Sequence, residues 1–359
     1  MSHISILCTK VSPCLELKSI FRTNYFRSAV CAALTIALSG LLFTACSDDS
    51  SSSASDQGKA DPLAECTVPA FLKKGDKVAL LSPSYSTPDS NIQNTAAVLK
   101  EWGFEPVIGK NVGKLDAGKY AGTAQERADD FIEALKDTSI KAILSNRGGY
   151  GTMSSFIGKT RGKDDNSTLL RDLLKGTVPT YKVPKHKFNQ KGKAEGILVG
   201  GNMATFVPPV DASDIDVFSG DGIILFMEEV GESLHNIDRM FNALELHGVM
   251  ENVKGVVLGE FVDSGTDLNY ETTEEMLSRY LKKYNIPVPC GFPAGHDDVN
   301  VPIVMGAKVK MDVTDNGATL AFDIDGEKKD VDTEKLLNKP SLAKSLRLML
   351  SGKIFSINE

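Results

Sequence analysis

Tryptophan occurs once in the 359 residues, histidine five times and cysteine six times. The histidines are scattered and none stands beside Cys66 or Cys290, so no His/Cys spacing of a zinc site is present. No Lys/Arg run gathers anywhere and the net charge is −7, which argues against a nucleic-acid partner. Neither a P-loop nor a Rossmann-type phosphate loop occurs, which argues against a nucleotide-binding module. Nothing in the sequence implies a metal or a cofactor.

Long apolar runs are also scarce, with one exception. Arg22 and Arg27 precede a stretch of apolar and small residues from Ala29 to Ala45, which ends in Leu42-Phe43-Thr44-Ala45-Cys46. A charged region, an apolar region and a small residue before a cut read as a secretory signal over residues 1–45. Cys46 directly after Ala45 resembles a bacterial lipobox, in which the thiol is lipidated and becomes the new N-terminus. The expected location is therefore the bacterial cell envelope, lipid-anchored, with the body periplasmic or extracellular. The alternative is a single transmembrane anchor, for which the stretch is short against the ~20 residues a span needs. Residues 46–65 carry a Ser/Asp-rich run with nothing to bury, a flexible tether. Cys8, Cys14 and Cys31 leave with the signal. Cys66 and Cys290 remain, either as a disulfide or as two buried thiols.

From Phe71 strands and helices alternate. Lys77 to Leu81 is a strand ending at Ser82-Pro83-Ser84, and Asp89 to Gly103 has helical spacing. Phe104 to Ile108 is a second strand. Thr123-Ala124-Gln125-Glu126 is a capping box that opens a helix through Leu135. A third strand, Lys141 to Ser145, stops at Arg147-Gly148-Gly149-Tyr150-Gly151. Apolar strands alternating with helices predict an α/β fold with a parallel, Rossmann-like sheet over residues 66–152, its ligands beyond the strand C-terminal ends. Residues 153–193 read as an irregular connection, helical only at Leu169 to Leu174. Residues 194–326 read as a second, mixed α/β domain. It has strands at 194–199, 222–227, 253–259 and 287–289, helices at 233–247 and 272–284, and an antiparallel pair around Asp315-Asn316-Gly317. Residues 327–359 read as a helical tail.

Five short motifs follow one another in order: Arg147 to Gly151, Gly200-Gly201-Asn202, Phe226-Met227-Glu228-Glu229-Val230, Ile237-Asp238-Arg239-Met240 and Gly295-His296. Together they resemble the LD-carboxypeptidase family of serine peptidases, which includes the microcin immunity peptidases. The resemblance implies a Rossmann-like N-terminal domain, a barrel-like C-terminal domain and a Ser–Glu–His triad in the cleft between them. It further implies cleavage of the L,D bond that releases terminal D-alanine from a murein-derived tetrapeptide, and a homodimer. Glu228 matches the triad carboxylate and His296 its histidine. Gly148 and Gly149 match the turn that lends an oxyanion donor. Tyr150, Asn202 and Arg239 match positions that shape the cleft. In such a triad the histidine takes the serine proton, the carboxylate orients it, and backbone N–H groups hold the oxyanion. Glu229 is a rival to Glu228 and would face the other side of the strand. Read without the resemblance, Glu228 could equally cap a helix or pair with Arg239, and His296 could be a surface residue.

One departure stands out. The family carries its nucleophile on a Gly-(Tyr/Phe)-Ser-Asp elbow after the glycine turn, and this sequence contains none. Gly151-Thr152 runs directly into Met153-Ser154-Ser155-Phe156. At least one βα unit, ~30 residues or more, is expected to be missing. The nucleophile is therefore unassigned, with Ser154 and Ser155 as substitutes only if their loop folds into an elbow. Three readings follow: a family peptidase with impaired activity, a non-catalytic muropeptide-binding lipoprotein, or an active peptidase whose gene model lacks the segment.

Overall fold

The structure is a computed structural model that describes residues 68–116, 118–147, 157, 160–208, 210, 222–265 and 268–339. Cys46, Cys66, Gly148, Gly149, Tyr150, Ser154 and Ser155 lie outside the described residues, as does the tail beyond Lys339.

A small sheet comes first. It is built from β1 (Lys77–Leu81), α1 (Asp89–Glu101), β2 (Glu105–Ile108), α2 (Ala124–Lys136) and β3 (Ile140–Ser145), with strand order β2-β1-β3, all parallel. The capping box forms as expected: Glu126 N–H donates to Thr123 Oγ1 at 3.2 Å and Thr123 N–H to Glu126 Oε2 at 2.9 Å. Ile92, Ala96 and Leu99 of α1 are buried at one-turn spacing, and the α1 face packs on Val78 and Leu80. Phe131 and Ala134 of α2 cover Ala79 and Leu81 on the opposite face. The strand order reverses at β1, and in sheets of this kind ligands bind beyond the C-terminal strand ends at such a reversal, here those of β1 and β3. There Asn146 N–H donates to the Leu81 carbonyl at 2.7 Å, and Ser82 and Ser84 are buried.

The described part of the expected irregular connection is ordered. It holds α3 (Asp165–Leu174) and β4 (Thr177–Val183). Asp164 caps α3 by accepting Ser167 N–H at 2.9 Å. Leu170 and Leu174 of α3 join the core of the small sheet, while Leu169 and Leu173 join a core of the larger one. This helix therefore cements the two sheets together.

The larger sheet takes in β4, β5 (Gly192–Asn202), β6 (Ile223–Val230), β7 (Val253–Val262), β8 (Lys308–Thr314), β9 (Gly317–Phe322) and β10 (Glu327–Asp332). Helices α4 (Met203–Phe206), α5 (Leu234–Leu246), α6 (Thr273–Leu281) and α7 (Thr333–Leu337) accompany it. Strand order is β10-β4-β9-β8-β5-β6-β7, with β5, β6 and β7 parallel and β8 and β9 antiparallel to their neighbours. The expected barrel-like, mixed α/β domain is built on this seven-stranded mixed sheet, which reaches beyond residues 194–326 at both ends. The expected helical tail begins instead with β10, paired in parallel with β4, and only then turns into α7. The short strand expected at 287–289 is a single bridge between Val288 and Gln190.

β6 divides the two cores of this sheet. Ile223, Leu225 and Met227 point into a cluster with Ile237, Phe241 and Leu244 of α5. Ile224 and Phe226 point the other way, into a cluster with Val257, Phe292 and Ala294. Each side chain of this size contributes roughly 1.5–3 kcal/mol when fully buried. Cys290 is a free, buried thiol that burial pushes up to about 12. Among the described residues no helix is long and apolar enough to cross a membrane.

Candidate active site

The alternation of β6 places its two carboxylates on opposite faces. Glu228 follows Phe226 by two and so shares the face of Phe292 and Ala294, where it is fully buried. The chain from Phe292 to Asn300 loops over that face, carrying His296. His296 Nδ1 lies 2.6 Å from Glu228 Oε2, the distance of a strong charge-assisted bond. His296 Nε2 is buried with no hydrogen-bond partner among the described residues. An imidazole with one nitrogen on a buried carboxylate and the other unengaged is arranged to take a proton from a third group.

Glu229 faces the helices and has a different task. Its Oε1 accepts Asn202 Nδ2 at 2.7 Å and Val230 N–H at 2.9 Å, and its Oε2 accepts Ala204 N–H at 2.7 Å. Burial raises its pKa above the ordinary carboxylate value, while these three donors oppose the rise. Glu229 is thus occupied in joining β6 to the end of β5 and the start of α4. Asn202, expected near the cleft, donates its side-chain amide to Glu229 and stands opposite Glu228 in the β5–β6 register. Arg239 is on an exposed turn of α5 and donates to Asn236 Oδ1. Arg147 donates to the Ser86 carbonyl at 3.0 Å and its guanidinium lies over the Tyr85 ring.

The His296 loop is held by residues that the sequence did not single out. Asn300 Nδ2 donates to the Gly295 carbonyl at 2.5 Å, and Gly295 N–H donates to Asn300 Oδ1 at 3.3 Å. Asn166 of α3 accepts Asn300 N–H at 3.0 Å and donates to the Asp298 carbonyl at 2.9 Å. Glu260, at the C-terminal end of β7, accepts Asp297 N–H at 3.1 Å. Burial, then the nearby Asp297 charge, pushes the Glu260 carboxyl up to about 8. A carboxylate closing a parallel strand next to β6 carries a sequence signal, because such strand ends face the site. Asn166 carries none. Among the described residues no group of His, Cys, Asp or Glu is arranged to hold a metal ion.

Comparison with known proteins gives the family. The LD-carboxypeptidase N-terminal domain model matches residues 78–157 and the LD-carboxypeptidase C-terminal domain model matches residues 195–311. Together they span more than half of the chain, which belongs to the LD-carboxypeptidase family. A putative carboxypeptidase of Synechocystis is 28% identical over 295 residues, covering 71% of this chain and 96% of that protein. A probable murein peptide carboxypeptidase of Bacillus subtilis is 27% identical over 303 residues, covering 70% and 93%. The crystal structure of muramoyltetrapeptide carboxypeptidase from Oxalobacter formigenes superposes with a TM-score of 0.59 at 22% identity, covering 70% of this chain and 99% of that one. At that identity the likeness is one of fold.

Proposed function

We propose that the protein takes murein-derived peptides ending in D-alanine, with Glu228 and His296 as the carboxylate and base of a serine-type triad. The carrying observation is the 2.6 Å contact at His296 Nδ1 together with a buried Nε2 that has no partner among the described residues. In this reading Nε2 accepts the proton of an attacking hydroxyl and returns it to the leaving amine. Glu228 fixes the tautomer and stabilises the imidazolium between the two transfers. Gly148 and Gly149 supply an oxyanion donor, and Tyr150, Asn202 and Arg239 shape the cleft.

The sequence lacks the family's nucleophile elbow, and triad members act as a unit. Loss of the serine alone removes about six orders of magnitude in a comparable hydrolase. The expected behaviour is therefore peptide binding with little or no turnover. The test is incubation of the full chain with a disaccharide tetrapeptide, following free D-alanine by mass spectrometry and binding by calorimetry. Binding without release is the expected result, and absence of binding refutes the peptide assignment. Release that is lost in Ser154→Ala or Ser155→Ala would instead name the nucleophile.

A second reading has an observation of its own. The match to the Synechocystis protein runs over 295 positions but draws on 71% of the 359 residues, about 255. Some tens of its positions therefore have no counterpart here. That fits the loss of a βα unit and, equally, a gene model missing the segment of an active peptidase. Resequencing the locus separates the two.

The signal at 1–45, the lipidated Cys46 and the tether make this a lipoprotein of the bacterial cell envelope, its body periplasmic or extracellular, and the family resemblance suggests a homodimer. Detergent-phase partitioning that Cys46→Ala abolishes is the expected outcome. A variant that still partitions points to a transmembrane anchor.

A further inference from the structure

The register of β7 against β6 changes at the site. Met227 pairs with Leu258 but Glu229 pairs with Phe261, so two steps on β6 face three on β7. The extra residue makes a bulge at Gly259-Glu260, opposite Glu228. Bulges of this kind re-aim a side chain and recur beside active sites. Gly259 is held here by a close approach: a Cβ on it would run into the Ala294 carbonyl oxygen. Glu260 N–H donates to that same carbonyl at 3.2 Å, and its carboxyl turns along the loop to accept Asp297 N–H at 3.1 Å.

Gly295, immediately before His296, is wedged between two carboxylate side chains. A Cβ there would lie 3.1 Å from Glu260 Cβ and 3.3 Å from Glu228 Oε2, and its φ of +154° already favours glycine. The loop is thus gripped just beyond the imidazole from two elements. Glu260 grips residue 297 from β7, and Asn166 grips residues 298 and 300 from α3.

We infer that Glu260 is a positioning residue of this site, whose carboxyl holds the Asp297 amide and so keeps the loop where His296 Nδ1 meets Glu228. The inference rests on reading Glu228 and His296 as the working pair. The charged groups beside Glu260 are Asp297 on the loop and Glu228 on β6. A neutral carboxyl in that company keeps its acceptor oxygen without competing with Glu228 for the imidazole. Burial, then the Asp297 charge, raises its pKa and so favours that state.

The test compares the full chain with Glu260→Gln, Glu260→Asp and Glu260→Ala. Two readouts need no catalysis: hydrogen exchange at the Asp297 amide, and the downfield proton resonance of the His296–Glu228 bond. Glu260→Gln keeps an acceptor at the same reach, so both are expected to match the parent. Glu260→Ala is expected to speed exchange roughly tenfold or more and to lose the downfield resonance. Glu260→Asp, one methylene short, falls between and still reports if the alanine variant does not fold. Parent-like exchange and resonance in Glu260→Ala, or in Glu260→Asp if the alanine variant fails to fold, overturn the inference, as does a glutamine variant that behaves like alanine. Calorimetry with the murein tetrapeptide on the parent tests the underlying reading separately: lost binding there sinks the peptide assignment and leaves the loop result standing.

Discussion

Replacing Glu260 by glutamine should change how stability depends on pH. The ordinary carboxyl value is 4.5 and that of Glu260 in the fold is about 8. Between those two the folded state binds more protons than the unfolded state, so stability falls as pH rises. The contribution is fully present below about pH 4.5 and is lost as pH passes 8. Three and a half units at about 1.36 kcal/mol each would set a ceiling of about 5 kcal/mol. Glu260 is only half-buried, so solvent screening reduces this to roughly 2 kcal/mol. Glutamine keeps the acceptor for Asp297 N–H and has no charge to form. Urea unfolding of the two proteins at several pH values between about 5 and 9 measures the difference. The variant should gain about 2 kcal/mol on the parent across that range. A constant difference at every pH would refute the argument, because it would mean that Glu260 titrates alike in both states.

Two other substitutions probe the scaffold. Glu229→Ala strands the donors of Asn202, Ala204 and Val230, and should cost about 3–5 kcal/mol in chemical denaturation. Gly259→Ala drives a methyl into the Ala294 carbonyl, and should cost about 1–3 kcal/mol while weakening the His296–Glu228 resonance.

The elements that were legible in the sequence are those with clear periodicity. α1 and α2 show apolar spacing with a capping box, and β1, β3 and β6 are apolar runs bounded by turn residues. β4 is hidden by Pro179 and by its Lys- and Pro-rich surroundings. The structure accommodates the proline because β9 pairs only with residues 180–183, leaving Pro179 beside β10 alone. β10 is hidden because Glu327 to Asp332 holds five charged residues in six. These suit an edge strand, where charge discourages pairing with other chains. In the site, Glu228 and His296 stand out because each belongs to a motif. Glu260 offers only its place near a strand end, since its aim depends on a bulge, and Asn166 offers nothing, since its helix reaches the loop only in the fold.

The place of β4 bears on how the chain assembles. β4 spans residues 177–183, yet its sheet neighbours are β9 and β10, well over a hundred residues later. During synthesis β4, with its buried residues Val178, Tyr181 and Val183, waits unpaired until residues 317–332 arrive. Pairings this distant in sequence form slowly and leave aggregation-prone strands open in the interval. α3 directly precedes β4 and carries Asn166, so the grip on the His296 loop matures only with that late closure. Assembly of the site is thereby tied to strands made more than a hundred residues after β4.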